Sequence, residues 1–536
     1  MNKILEKKTY IFFLLAIILG FITSFSFSPY NYIFINFLTL PIFLYTLILA
    51  KKINLNSKLF FLIGWFFGFG YFLSGLYWIS ISLTYEESFK YLIPFTTILI
   101  PAFLAIFYGI STMILRRFAF KKISFVLIFS LIFSILEFLR GNILSGFPWN
   151  LLAYSWLPYL EVIQIISIIG TYSFNLISIT IFSMPLIFFV NKKYKEKRGY
   201  WFISFLTFIF ILNYFFGSTV LSKFDKSSLE EHDFILKIIS PSIKLKEFVN
   251  GENNDVILHK LIKLSDPQPD KKTIFIWPEG MFPRMYLEDI NKFRDIFSNK
   301  FSNLHLIVIG INKAEYIEKG NINSEIKKVY NTLAIIDNDT NLVSLYKKNK
   351  LVPFGEFLPL ENFLGKLGLK TISFGYKSFS KGVERKVINI NNKFFDLKIL
   401  PLICYEIIFP GKINIENKKT NLIINISEDG WFGDSSGPHQ HFDNVIFRAI
   451  EQGNFIARSA NNGISAFVDP KGRIIKKLQP IDAGVITTSL PIYEEKTIFS
   501  QYGNKLFFII ILLYIFLIFY FIKVEINEEK KLSFYK

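Results

Sequence analysis

The chain has one cysteine and five histidines among its 536 residues. A single thiol excludes an internal disulfide framework and any cysteine-cluster metal site. Five scattered histidines argue against a histidine-rich site as well. Charge is scarce: Asp, Glu, Lys and Arg make up 19% of the chain, below the roughly 25% of ordinary soluble domains. No internal repeat stands out, and no long low-complexity linker. In place of these the sequence is apolar, 51% hydrophobic and 18% aromatic, with 63 Phe and 26 Tyr, and its mean hydropathy is +0.38. A chain so apolar cannot hide its side chains in globular cores, so part of it must sit in lipid.

Windows long enough to span a bilayer, roughly 17–25 residues, fall near 10–27, 33–50, 59–80, 92–114, 122–139, 163–190, 200–217 and 506–522. Seven precede a long segment of ordinary soluble composition and one follows it. The first has a basic start (Lys3, Lys7, Lys8), but its apolar run is too long for a signal peptide and no small-residue cleavage pattern follows, so a retained helix is expected. Basic residues cluster in alternate connections: Lys3, Lys7 and Lys8; Lys51, Lys52 and Lys58; Arg116, Arg117, Lys121 and Lys122; Lys192, Lys193, Lys195, Lys197 and Arg198. The other connections hold only Lys90 and Arg140. Positive charge stays cytoplasmic, so both termini are expected inside, with Lys523, Lys530, Lys531 and Lys536 on the returning tail. The expected organisation is a membrane domain over 1–217, an outer domain over 218–505, a last span over 506–523 and a cytoplasmic tail over 524–536. Much of the net charge of +18 is then topology, and nucleic-acid binding is not expected.

The outward connection after the fifth window runs Arg140-Gly141-Asn142-Ile143-Leu144-Ser145-Gly146-Phe147-Pro148-Trp149-Asn150 and continues to Tyr154 and Trp156. Two readings fit it. One is an aromatic belt at the membrane interface; the other is a re-entrant loop lining a lipid-access cavity, where irregular backbone is shielded by protein or water. Glu137 and Arg140 suit either. Gly64, Gly68, Gly70 and Gly75, beside Trp65, Tyr77 and Trp78, read as a close helix-packing face.

From about residue 234 short apolar runs alternate with polar helical stretches. Phe234–Ile239, Thr273–Trp277, Leu304–Ile309, Thr332–Ile336, Ile399–Cys404 and Asn421–Ile426 read as buried strands, and 253–264, 285–299 and 437–453 as helices. Such alternation implies a layered α/β domain. Two strands end in reactive residues: Trp277-Pro278-Glu279-Gly280 follows one, and the sole cysteine, in Cys404-Tyr405-Glu406, closes another. Pro401 is expected to shorten or bulge the latter. Between them lies Tyr346-Lys347-Lys348-Asn349-Lys350-Leu351-Val352-Pro353-Phe354-Gly355-Glu356. A thiol attacks only as thiolate, so it needs a base and a nearby cation. Taken singly, a lone Cys is usually a buried hydrophobe, a Glu after a strand a turn residue, and three lysines a basic surface. Together they would supply nucleophile, base and cation.

This ordered set resembles the carbon–nitrogen hydrolase (nitrilase) superfamily, and with the membrane windows the chain resembles the apolipoprotein N-acyltransferase family. The resemblance spans nearly the whole chain through Gly146-Phe147-Pro148-Trp149, Trp277-Pro278-Glu279, Tyr330-Asn331, Leu351 to Glu356, Cys404-Tyr405-Glu406, Asp429 to Pro438 and Asn462-Gly463-Ile464-Ser465. It implies an αββα four-layer sandwich on the outer face of about eight membrane helices. It implies Glu279 as general base, Cys404 as nucleophile and Lys348, the lysine in the family's frame, as the oxyanion-stabilising cation. Gly146, Trp149, Asn331, Glu356, Tyr405, Glu406 and Trp431 match positions that shape the site.

The implied chemistry moves the sn-1 acyl chain of a phospholipid, typically phosphatidylethanolamine, to the N-terminal diacylglyceryl-cysteine of a lipoprotein in the bacterial inner membrane, without metal or cofactor. Three departures stand out: Ser240-Pro241-Ser242 replaces a usual Gln-x-Asn stretch, the Trp that commonly follows is missing with Phe248 nearby, and Glu428 replaces an Asn before Asp429. Two other readings stay open. One is a membrane-anchored amidase or lipid hydrolase with water as acceptor. The other is a transporter with a solute-binding outer domain, disfavoured by the few ionisable residues at mid-depth.

Overall fold

The computed structural model of the chain describes all residues except 1, 119–121, 191–196, 250–252, 283, 318–324, 368–370, 372–377, 414–418 and 535–536. Among the described residues eight helices are long and apolar enough to cross a membrane: Thr9–Ser26, Ile33–Lys52, Ser57–Tyr85, Glu87–Leu115, Ile123–Asn142, Ile166–Phe188, Trp201–Ser228 and Lys505–Asn527. They coincide with the eight apolar windows. Of the basic connections used to orient them, Lys121 and Lys192, Lys193 and Lys195 lie outside the described residues. The glycine-rich stretch is a packing face: a Cβ on Gly70 would stand 2.1 Å from the Ile17 carbonyl oxygen, and one on Gly64 2.1 Å from Thr112 Oγ1. Small residues let these backbones touch where lipid supplies no hydrophobic drive. The sixth window differs from a single smooth helix. Gly170 inside Ile166–Ser183 has a φ of 77° and kinks it, and Pro185, which lacks an N–H, separates it from Leu186–Val190.

The connection after the fifth span is not a lipid-facing belt. Trp149, Leu151, Tyr154 and Trp156 are all buried, and Arg140 holds the loop from below by donating to the carbonyl oxygens of Phe147 and Trp149. Arg140 is in turn paired with buried Glu137. The aromatic side chains that suggested an interface serve instead as a packed seam with the α/β region.

Among its described residues that region carries two six-stranded sheets. The first comprises β1 (Glu231–Ser240), β2 (Thr273–Ile276), β3 (His305–Ile317), β4 (Glu325–Ile336), β5 (Leu342–Lys347) and, at its edge beside β1, β12 (Gly484–Pro491). The second runs in the order β11 (Ile474–Leu478), β10 (Ser465–Val468), β9 (Phe455–Asn461), β8 (Leu422–Glu428), β7 (Asp396–Ile403), β6 (Ile388–Asn391). The centre of each is parallel, β1–β2–β3 in one and β7–β8–β9 in the other. Alternation along the strands sorts the side chains. Leu236, Ile238, Ile274 and Ile276 meet Leu397, Ile399, Ile424 and Ile426 between the sheets. On the far side of the first sheet, helices Asn254–Ser265 and Arg294–Lys300 cover Phe275, Trp277, Ile307 and Ile309. On the far side of the second, helix Gly437–Gln452 covers Leu400, Leu402, Ile423 and Ile456, and this core continues without a break into the membrane helices. The result is a four-layer αββα sandwich fused to the helical layer through its fourth layer.

Two local expectations change. The stretch 285–299 begins as a 3-10 segment, Leu287–Phe293, before the helix Arg294–Lys300. Pro401 does not shorten its strand: β7 runs through it from Asp396 to Ile403. Its neighbour β6 pairs only as far as Ile399, so Pro401 stands beyond that ladder, open on one side, where a missing N–H is tolerated.

Helix Gly437–Gln452 is tied to the membrane helices by buried polar contacts as well as by apolar packing. Ser28 Oγ donates to Asp443 (3.0 Å), Gln440 Nε2 to the Ser28 carbonyl (3.2 Å) and Thr171 N to Glu451 Oε1 (2.8 Å). Arg448, fully buried, pairs with Glu451 and donates to Thr171 Oγ1 at 2.8 Å.

Candidate active site

Parallel strands leave their carboxyl ends as a row of turns, and ligand-binding residues in α/β folds collect there. Glu279 follows β2 and Cys404 follows β7, so the two sheets bring both to one end of the sandwich. The turn after β2 fits only because its neighbour is a glycine: a Cβ on Gly310 of β3 would stand 2.4 Å from the Glu279 Cα and 2.5 Å from the Pro278 carbonyl oxygen. Lys348 follows β5, its backbone N–H bonded to the Asn331 carbonyl of β4 (2.9 Å).

Lys348 is 1% exposed, and its Nζ donates to Glu279 Oε1 at 3.0 Å and Glu356 Oε1 at 2.9 Å. Asn331 Nδ2 donates to the same two oxygens, at 2.6 and 2.8 Å. The second oxygen of Glu279 accepts the Glu428 N–H (3.1 Å), and that of Glu356 accepts the Val352 N–H (2.9 Å). Burial works against charge on Lys348, but Glu279, Glu356 and Cys404 outweigh it and hold its pKa well above the ordinary lysine value. Cys404 feels the opposite balance. Burial pushes its thiol well above the ordinary value, Glu279 adds to this, and Lys348 and the Ser427 hydroxyl oppose it. The fold therefore favours the neutral thiol over the thiolate, within reach of the charges on Glu279 and Lys348.

The other expected residues hold this arrangement. Glu406 is fully buried and accepts from Tyr346 Oη (2.7 Å), the N–H groups of Asn349 (3.0 Å), Lys350 (3.1 Å) and Ile403 (2.9 Å), and Arg385 (2.9 Å). It stitches the lysine loop to the cysteine turn. Tyr405 donates its hydroxyl to the Gly146 carbonyl at 2.9 Å. Gly146 has a φ of 74°, and a Cβ there would stand 2.4 Å from the Gly141 carbonyl oxygen. Trp149 donates Nε1 to Gln440 (2.8 Å) and lies against Trp78 and the His441 ring. Trp431 sits further out, half-buried against Tyr85, whose hydroxyl donates to the Gly430 carbonyl at 2.8 Å.

A second buried group escaped the sequence reading. Cys404 has a φ of 47°, a left-handed conformation that costs a non-glycine residue about 1–3 kcal/mol unless its surroundings impose it. His441 Nε2 lies 3.3 Å from the Cys404 carbonyl oxygen and its Nδ1 3.0 Å from Asp429 Oδ1. Asp429 also accepts from Ser427 (2.6 Å) and Arg458 (2.7 Å). Burial opposes its charge, but Arg458 and His441 outweigh it and hold Asp429 well below the usual carboxylate range. A histidine 37 positions from the cysteine gives no spacing signal; only its place on an amphipathic helix following a strand-end loop hinted at it. The ligating atoms of Cys404, Asp429 and His441 lie within 4.8 Å of one another. His441 is committed to Asp429 and to the Cys404 carbonyl oxygen rather than its sulfur, and Asp429 to Arg458; the guanidinium repels a cation, so the set fits an ion-paired brace better than a metal centre.

The departure at Glu428 joins the departure at Ser240-Pro241-Ser242 in space. Glu428 accepts from Gly430 N (2.8 Å) and Asn461 Nδ2 (2.6 Å), and Asn461 accepts the Ile243 N–H just beyond β1 (2.9 Å). Burial pushes Glu428 up to about 8 against the pull of these donors.

Residues 19–184 match the apolipoprotein N-acyltransferase N-terminal domain, and residues 302–495 match the carbon–nitrogen hydrolase domain. An apolipoprotein N-acyltransferase of Rhodopseudomonas palustris is 31% identical over 502 residues, covering 91% of each chain. One of Brucella melitensis is 33% identical over 437 residues, covering 80% of this chain and 79% of its own. The chain belongs to the apolipoprotein N-acyltransferase family. It is an acyltransferase of the carbon–nitrogen hydrolase superfamily carried on membrane helices. Among solved structures, a nitrilase-superfamily member of Saccharomyces cerevisiae is similar over 49% of this chain and 91% of its own, at 17% identity and a TM-score of 0.33. An amidase from Nesterenkonia sp. is similar over 50% and 94%, at 14% identity and a TM-score of 0.31. Within the family frame Lys348 and Cys404 lie inside the matched hydrolase domain, whereas Glu279 precedes it and is tied in through Lys348 and Asn331.

Proposed function

We propose that this N-acyltransferase moves the sn-1 acyl chain of a phospholipid, with phosphatidylethanolamine the expected donor, to the α-amino group of a lipoprotein's N-terminal diacylglyceryl-cysteine. The observation that carries the reading is the Glu279–Lys348–Glu356 cluster beside a buried thiol, on a sandwich whose fourth layer is continuous with membrane helices. Glu279 takes the thiol proton as Cys404 Sγ attacks the ester carbonyl carbon. The developing oxyanion is met by Lys348, a preorganised charge of the kind worth a few kcal/mol. The ester C–O bond then breaks, Glu279 returns the proton to the departing glycerol oxygen, and lysophospholipid leaves a thioester on Cys404. The lipoprotein amine attacks that thioester, its proton passes to Glu279, and the thiol is restored as the amide forms. Two substrates using one site in turn give ping-pong kinetics.

The membrane helices follow from the substrates. Drawing a long acyl chain into water costs on the order of 10 kcal/mol at ~0.8 kcal/mol per CH₂, and a site reached from the lipid avoids that cost. Water must also be kept from the thioester, or transfer becomes hydrolysis. The distribution of basic residues supports a cytoplasmic N-terminus and a sandwich on the outer side of a bacterial inner membrane. Protease added to intact spheroplasts is expected to cut the sandwich; cleavage only after lysis would reverse this orientation.

The test is a vesicle assay with phosphatidylethanolamine and a diacylglyceryl lipopeptide. Equal amounts of lysophospholipid and triacylated peptide are expected. Free fatty acid in place of triacylated peptide would establish a lipid hydrolase instead. Full function of Cys404→Ala in cells would favour a binding or transport role.

A further inference from the structure

Just past Cys404, the strap Phe409–Ile413 runs along the junction between the second sheet and the membrane helices. Pro410 accepts a hydrogen bond from Asn504 (2.9 Å), the residue before the last helix, Lys505–Phe534. Phe409 packs beside Gly146 of the loop after the fifth span, where a Cβ would stand 3.2 Å from its ring. This strap therefore sits where two spans leave the membrane, one short 3-10 turn, Cys404–Ile408, away from the nucleophile.

Three cations gather beside it, and among the described residues only Arg385 has a matching anion. Lys350, two residues past Lys348, extends over Phe409 with Nζ 5.2 Å from the ring centroid. Arg385 donates Nη1 to the Lys412 carbonyl oxygen at 2.8 Å. Arg385 has its counter-charge in Glu406, 2.9 Å away. Lys350 and Lys412 are only part-exposed, and among the described residues neither ammonium has a carboxylate within ion-pairing distance. Burial and the neighbouring Lys350 bring Lys412 down to about 8; burial, Lys381 and Arg385 lower Lys350 against the opposing pull of Glu406. Cations held together against their own repulsion, half out of water, are arranged for an anion.

We propose that Lys350 and Lys412 form a phosphate subsite that holds the phosphodiester of the acyl donor at the membrane-facing rim of the Cys404 site. The inference rests on the donor being a phospholipid, as read above. A phosphodiester lies one glycerol unit from the sn-1 ester, so anchoring it on the strap directs that ester toward the turn that carries Cys404. The same charges discriminate between the two substrates of a shared site. The diacylglyceryl-cysteine acceptor has no phosphate, and its terminal amine, when protonated, is repelled here. The subsite thus favours the donor in the free enzyme and the neutral, nucleophilic form of the amine in the acyl-enzyme.

The experiment measures acyl-enzyme formation by intact mass in the full-length protein, wild type against Lys350→Gln/Lys412→Gln. Donors are phosphatidylethanolamine, phosphatidylglycerol and, as a phosphate-free donor, diacylglycerol. The double variant is expected to raise KM about tenfold or more for both phospholipids, the loss of one or two charge-assisted contacts. Its kcat is expected to change little, and its rate with diacylglycerol to match wild type. Equal KM values for phospholipid in the two proteins, or an equal loss with all three donors, overturns the proposal. Inorganic phosphate that competes in wild type but not in the variant, with phospholipid KM unchanged, would reassign the site to free anions and also overturns it. Wild type that is acylated by diacylglycerol but by neither phospholipid would instead sink the donor reading, an outcome separate from these.

Discussion

Two buried charged groups flank Cys404, and their charges are balanced differently. In the first, two carboxylates, Glu279 and Glu356, face one ammonium on Lys348. In the second, one carboxylate, Asp429, faces one guanidinium, Arg458, with His441 between Asp429 and the cysteine backbone. The first has a carboxylate to spare. In the proposed mechanism Glu279 takes the thiol proton, and Lys348 would still keep an anion in Glu356, so the proton would move without stranding a buried charge. The second has none to spare, because protonating Asp429 would leave Arg458 unpaired at zero exposure, and a stranded buried ion costs several kcal/mol. On this reading, surplus charge marks the group that handles protons, and matched charge marks the group that holds the nucleophile's strained backbone.

Breaking the first group is expected to have the largest effect on chemistry. Glu279→Gln should slow single-turnover acylation of Cys404 by about 10²–10⁴-fold, the usual worth of a positioned base; a loss under tenfold would move the base elsewhere. Lys348→Met should cost about 10²–10³-fold in the same assay. Breaking the second group should act on the fold. Arg458→Met leaves Asp429 buried without its cation and is expected to cost about 3–5 kcal/mol, read as a lowered Tm in detergent; an unchanged Tm would show that the brace carries no load. His441→Gln sharpens the contrast. Acylation should fall roughly tenfold through looser positioning of Cys404, with the pH profile of the remaining activity unmoved. A shifted profile would make His441 a proton-handling group and erase the distinction.

The smallest effect is a pH dependence of stability at the seam with the membrane helices. Burial pushes Asp443 up to about 8, with only Ser28 opposing it. A raised acid binds a proton in the fold that the unfolded chain has already released, so its folded state loses stability as pH climbs from about 4 to about 8. Asp443→Asn removes that loss. Its Tm advantage over wild type is expected to grow between pH 5 and pH 8 by a few degrees; an advantage independent of pH would mean that Asp443 is already ionised.

Much of this was legible in the sequence where one physical pattern dominates. Apolar windows gave the eight spans, since length and composition decide membrane crossing. The legible strands are the buried, largely apolar ones such as Ile274–Ile276 and Leu422–Ile424. Some strands are not legible because their residues serve another purpose. β9 carries Arg458, Ser459 and Asn461 into polar networks, and β11 carries two adjacent lysines, Lys476 and Lys477, at an edge. Pro401 misled because its tolerance depends on where β6 stops. The loop Gly146–Trp156 stayed ambiguous because aromatic residues suit both an interface and a buried seam. Glu279, Lys348, Asn331, Glu356 and Cys404 were found through ordered motifs and are neighbours in space. His441, Arg458 and Gly310 carry no local signature, because their roles arise only from which backbone they touch.

Acylation of Cys404 by phospholipid with Glu279 as its base is read from the intact mass of the purified protein after incubation with phosphatidylethanolamine. A gain of one acyl group is expected, released by hydroxylamine, absent in Cys404→Ser and formed far more slowly in Glu279→Gln. A folded wild-type protein that gains no acyl group from any phospholipid, or one acylated equally fast in Glu279→Gln, would contradict it.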